Sequence, residues 1–108
     1  MIRHIYVRNT LAALHQWKDA PSQVSFLKNL HRHVFFIKTT FKVDHNDRDK
    51  EFFILQRNVS FFLDVSIPRD LETGLAMIDS CEDLAEKILT AFKDQGIVSC
   101  EVSEDAEN

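Results

Sequence analysis

The segment HQWKDAPSQVSFLKNLHRHVFF, residues 15–36, holds three of the chain's five histidines. His31 and His33 are separated by one residue at the start of an apolar run. Side chains alternate across a strand, so a strand there carries both imidazoles on one face. Two imidazoles on one face can converge on a single ion. A catalytic zinc takes three protein ligands and keeps one position open. His15 supplies the third ligand if the strand that ends with it pairs with the strand that begins at His31. The same three residues also read as surface histidines that hydrogen-bond locally.

The elements that would position these side chains follow from the residue pattern. IRHIYVRN, residues 2–9, alternates imperfectly between apolar and polar and predicts a strand, which can run on through TLAALHQW. KDAPSQ is a turn-rich loop around Pro21. HVFFIKTTFKV is rich in β-branched and aromatic residues and predicts a strand. DHNDRD reads as a hairpin tip, without the glycine and distal glutamate of a calcium-binding EF-hand loop.

EFFILQRNVSFFLDV places Phe52, Leu55, Val59, Phe62 and Leu63 on one helical face, while its first residues could equally finish a strand. The expectation is a short strand leading into a helix, and SIPRDLETG then reads as a connecting loop. DSCEDLAEKILTAFKDQG predicts a helix capped by Asp79 or Ser80, with acidic residues in its first turn and Gly96 as a left-handed stop. Its apolar stripe is Cys81, Leu84, Ala85, Ile88, Leu89 and Phe92. IVSCEVS is a last strand, and EDAEN an acidic end. The fold class expected is α+β: an antiparallel β-sheet with two helices packed on one face, in a single domain over residues 1–108.

Composition bounds the function. Hydrophobic residues make up 44% and charged residues 28% of the 108 positions, which fits a globular chain. A net charge of −4 argues against a polymeric nucleic acid as partner, because phosphate-backbone binders need a basic excess. A small anion held by a few local cations is still allowed. Cys81 and Cys100 form no metal-type CxxC pair and read as reduced thiols of a cytoplasmic protein. Cys81 opens a helix, where the dipole can lower a thiol pKa, but it also lies in the apolar stripe, which favours a structural role. No apolar stretch has the length of a membrane span or a signal-peptide core.

LAALHQW, NLHRHVFFIKTTFKV with its LHxH element, EFFILQ, DSCEDLAEKIL and CEVSED together resemble, over nearly the whole chain, the tunnelling-fold (T-fold) 6-pyruvoyl- and 6-carboxytetrahydropterin synthases. The resemblance implies a zinc site at His15, His31 and His33. It also implies that Glu104 anchors the guanidine-like edge of a pterin, a bidentate geometry that carboxylates favour. Otherwise Glu104 reads as part of a solvated tail, and Glu101 is the alternative anchor. The T-fold builds barrels by joining sheets of several subunits, which implies a homo-oligomer, trimer to hexamer, with ligand sites between subunits. Near these positions, Trp17 could stack on a flat heterocycle, and Lys28 and Arg32 could pair with phosphate. Each also reads as an ordinary packed or solvated residue.

The chain departs from the family at its chemistry. No cysteine precedes the histidine pair, where SFLKNLHRH stands. FFLDVSIPRD keeps Leu63 and Asp64 of the family's LDH element but has Val65 in place of the histidine. The glycine of the family's LHGH motif is Arg32 here. Thiolate and partner base are both missing, so the proton relay has no evident carriers. The resulting expectation is a non-catalytic, homo-oligomeric binder of a purine- or pterin-like small molecule. Such a binder would serve as a sponge for nucleotide or cyclic-nucleotide immune signals in phage anti-defence. The alternatives are a zinc-dependent pterin synthase-like lyase and a structural protein that shares only the fold.

Overall fold

A computed structural model of the chain describes residues 3–15, 19, 21–24, 31–43 and 52–105. Two long strands form its centre, Arg3–His15 (β1) and His31–Val43 (β2). They pair antiparallel without interruption, from Arg3 opposite Val43 to His15 opposite His31. Alternation sorts their side chains. Val7, Leu11 and Ala13 of β1 and Phe35, Ile37, Thr39, Phe41 and Val43 of β2 are buried, while Arg8, Arg32, Val34, Phe36 and Lys42 point to the exposed face.

The chain continues with helix α1, Phe52–Ser66. The expected short strand at its start is absent: Phe52 and Phe53 are already helical and exposed. Their strand-forming character is outweighed by Leu55, Val59 and Leu63, which recur every four residues and bury against the sheet. DHNDRD lies outside the described residues, and the next described element is helix α1 rather than a strand. Gln56 fastens α1 to β1: its side-chain amide donates to the Arg8 carbonyl at 2.6 Å, and its own carbonyl accepts from Asn9 Nδ2 at 3.0 Å.

Residues 76–78 form a third strand, Ala76–Ile78 (β3), which the sequence reading did not anticipate. It runs parallel to the end of β1, with Ala76 beside Ala13 and Ile78 beside His15. The sheet is therefore mixed rather than wholly antiparallel. The loop before β3 is braced by Arg69, whose guanidinium donates to the carbonyls of Leu63 and Asp64 at the end of α1 and of Gly74 in the loop.

Helix α2 spans Cys81–Ala91. Ser80 is its cap, with Oγ accepting from the Asp83 N–H at 3.0 Å. Leu84 and Ile88 are buried, and Phe92 follows them into the core. Gly96 adopts the left-handed conformation expected of it (φ 81°), after a short 3₁₀ turn over Lys93–Gln95 rather than directly after α2. The last strand, Ile97–Glu104 (β4), pairs antiparallel with β2, with a register irregularity at Thr40/Phe41. The order across the sheet is β3-β1-β2-β4.

The buried residues of the strands and of both helices form one cluster, so the helices share one face of the sheet. Phe35 and Phe41 are fully buried in it. Burying each contributes about 1.5–3 kcal/mol. No helix among the described residues is long and apolar enough to cross a membrane.

Candidate functional site

Three strand ends meet at one end of the helix-covered face. β1 ends in His15, β2 carries His33 two residues from its start, and β4 ends in Glu104, opposite Phe35 in the ladder. Glu104 Oε1 lies 3.2 Å from His33 Nε2 and 3.5 Å from His15 Nδ1. The two imidazoles are edge-on, 6.5 Å apart, and each packs edge-on against Phe35 at 6.1 and 6.2 Å. The fully buried Phe35 is thus the apolar floor that sets both rings. All three polar side chains are largely covered, with 19–26% of their surface exposed.

Asp105 completes the cluster. The Asp105 N–H donates to the Val34 carbonyl at 2.8 Å, and the Val34 N–H donates back to Asp105 Oδ1 at 3.1 Å. The other oxygen, Oδ2, is 2.5 Å from His33 Nδ1. The His33 hydrogen bond, followed by the Val34 N–H, holds the Asp105 carboxyl below the usual carboxylate range. An ionised carboxylate only accepts, so Nδ1 of His33 carries the proton and donates it to Asp105. The contact between Nε2 and Glu104 Oε1 is then attractive only with positive charge or a donor between them. A second proton on the ring, a metal ion or a ligand N–H each meets that need.

The structure sorts the expected site residues. His15, His33 and Glu104 come together. His31 stands opposite His15 in the ladder, but its side chain lies outside the described residues. Trp17 and Lys28 also lie outside them. Arg32 does not join the cluster: strand alternation turns it to the exposed face, away from His33. Glu101 likewise faces outward and pairs with Lys38 at 3.7 Å, so the alternative anchor is not at the histidines. Asp105, read from sequence as part of an acidic tail, is the residue sequence reasoning missed.

Among the described residues, no three His, Cys, Asp or Glu side chains form a group arranged to hold a metal ion. Both cysteines are free thiols. Burial, then the charges of Glu104 and Glu82, push the Cys81 thiol up, which reverses the lowering expected from the helix dipole. Burial, then Glu101, pushes Cys100 up to about 11. Neither supplies a thiolate at neutral pH.

A separate groove of about 1190 Å³ runs between α1 and the central strands, lined among others by Arg8, Phe36, Lys38, Phe53, Arg57 and Phe61. None of the histidines lines it, and Asp64, the remnant of the LDH element, faces this groove rather than the histidine cluster. Ionisable groups, partial burial and convergent geometry coincide at the strand ends, which makes the cluster the candidate site.

No family model matches the sequence, and no curated protein matches it.

Proposed function

We propose that the chain binds a small planar nitrogen heterocycle, purine- or pterin-like, where His15, His33 and Glu104 meet, and releases it unchanged. The observation that supports this most is the convergence of Glu104 with two ring nitrogens within 3.5 Å, on a face backed by Phe35. A heterocycle with an amidine or guanidine edge offers N–H donors to Glu104 and a flat apolar surface to the aromatic rings.

Zinc belongs to the same proposal. His15 Nδ1 and His33 Nε2 both lie within 3.5 Å of Glu104 Oε1, and the resemblance implies His31, opposite His15 in the ladder, as the third donor. Bound there, zinc would supply a Lewis acid and an open coordination position. His15, His31 and His33 would hold it, and Glu104 would face the ligand.

The resemblance to the T-fold pterin synthases supports a homo-oligomeric, cytoplasmic protein whose sheets join between subunits. Two physical features agree. β4 is an edge strand, and Phe53 and Phe61 of α1 are 76% and 65% exposed. A role as a sponge for nucleotide signals follows if the ligand is a nucleotide.

The second reading is a zinc-dependent lyase, and one observation favours it. Asp105 and His33 form a carboxylate–imidazole pair of the kind used in general base catalysis. The raised thiols and the absence of the family's cysteine and LDH histidine weigh against it. Mass spectrometry of small molecules released from natively purified protein separates the two. A binder yields an intact purine or pterin that is lost in the Glu104→Gln variant. A lyase yields product, and a structural protein yields nothing.

A further inference from the structure

We infer that the groove between α1 and the central strands is a second binding site, for a small phosphorylated molecule that carries a planar ring. None of the histidines lines it, so the inference stands apart from the strand-end site proposed above.

Two cross-strand rows shape the groove. Residues directly opposite each other in a ladder share one face of the sheet. Arg8 of β1 stands opposite Lys38 of β2, which stands opposite Glu101 of β4. Thr10, Phe36 and Ser103 form the adjacent row in the same strand order. All six line the groove. β3 pairs with β1 only over Ala13–His15, and farther along the strand α1 is tied to β1 instead. The tie is the Gln56 amide, which donates to the Arg8 carbonyl at 2.6 Å. The next residue, Arg57, lines the same groove, and so does Phe61 one turn later.

Charge selects the ligand. Two carboxylates line the groove, and each already has a cation: Glu101 pairs with Lys38 at 3.7 Å, and Asp64 with Arg69 at 3.5 Å. Arg8 and Arg57 have no carboxylate partner among the described residues. Arg8 lies 5.3 Å from the centre of the Tyr6 ring, which Lys38 approaches to 4.6 Å. Two cations directly opposite each other in a ladder repel, and an anion beside them relieves the repulsion. In a chain of net charge −4, the two unpaired guanidiniums make a local positive surplus. A guanidinium presents a planar fork of donors that matches phosphate oxygens. The Thr10 and Ser103 hydroxyls add donors of the same use. Phe36 and Phe61, 40% and 65% exposed, offer ring faces to a flat base. The negative net charge disfavours a polymer of phosphates, so the occupant is a small ester.

NMR titration of the full chain with uridine 5′-monophosphate is the test. Its base has no amidine edge for Glu104, so its binding reports the groove rather than the strand ends. Shifts should centre on Arg8, Thr10, Phe36 and Arg57, not on His15 and His33. Uridine alone and inorganic phosphate alone should each bind more weakly, because each makes only part of the contacts. Arg8→Gln and Arg57→Gln should each weaken the nucleotide about tenfold or more, the scale of one charge-assisted hydrogen bond. Arg57→Lys keeps the charge without the fork and should lose less. Both arginine side chains are exposed, and the Gln56 bond uses the Arg8 main chain, so the variants keep the fold. No saturable binding to the wild type, shifts confined to the strand ends, or an affinity unchanged in both glutamine variants overturns the site. A short oligouridylate that binds far more tightly than the mononucleotide overturns the assignment to a small ligand. Failure of guanine or pterin binding at the strand ends leaves these results untouched, so the two sites fail separately.

Discussion

Glu104 Oε1 stands 3.2 Å from His33 Nε2, joining the last residue of β4 to the start of β2. Glu104→Gln keeps the shape of the side chain and removes its charge. It should weaken a guanine or pterin ligand by roughly 1.5–3 kcal/mol, the scale for a hydrogen bond to a charged group. Isothermal calorimetry with a guanine nucleotide checks this. An unchanged Kd would move the ligand away from Glu104.

The thiols give a second prediction. Burial pushes the Cys100 thiol up to about 11 and raises Cys81 as well, so both should react slowly with iodoacetamide at pH 8 in the folded protein. Unfolding in urea should restore an ordinary rate. Rapid alkylation of Cys81 at neutral pH would reveal a thiolate beside Glu104 and strengthen the lyase reading.

Thr39 is fully buried, and its hydroxyl has no hydrogen-bond partner among the described residues. A buried unsatisfied hydroxyl costs about 1–3 kcal/mol, and valine fills nearly the same volume in a strand. Thr39→Val should raise unfolding stability by about 1 kcal/mol in urea titrations. A loss of that size would show that the hydroxyl is satisfied in solution.

The turn before β3 has its own pH signature. Asp70 accepts from the Thr73 hydroxyl at 2.8 Å and the Thr73 N–H at 2.9 Å, and these bonds hold its pKa below the ordinary 3.8. A group with a lowered folded pKa stabilises above its unfolded value, and that stability disappears as pH falls through the folded value. Asp70→Asn should therefore have a lower Tm than the wild type between pH 5 and 7, with the gap closing below about pH 4. A gap independent of pH would mean that the charge contributes nothing to the turn.

The frame of the site was legible in the sequence, and its details were not. The β-branched and aromatic pattern of β2 located His31 and His33, and the apolar end of β1 located His15. Arg32 is adjacent to both ligand candidates in sequence but lies on the opposite face, which the alternation used for the histidines already implies. The contact of Asp105 with His33 could not be read from the sequence, because it depends on a left-handed turn and on β4 pairing with β2. β3 escaped notice because three residues carry no period, and its pairing with β1 joins segments more than sixty residues apart. The start of α1 was misjudged because Phe52 and Phe53 favour strands locally, while burial of Leu55, Val59 and Leu63 decides the element.

The central claim is that the cluster binds a purine- or pterin-like molecule and leaves it intact. The most direct test is to titrate zinc-supplemented protein with a guanine nucleotide and, separately, a pterin triphosphate, then recover each by chromatography with mass detection. The prediction is saturable binding of at least one, lost in the His33→Ala variant, with the ligand recovered unchanged. Conversion of the pterin triphosphate, or no binding of either compound, would contradict it.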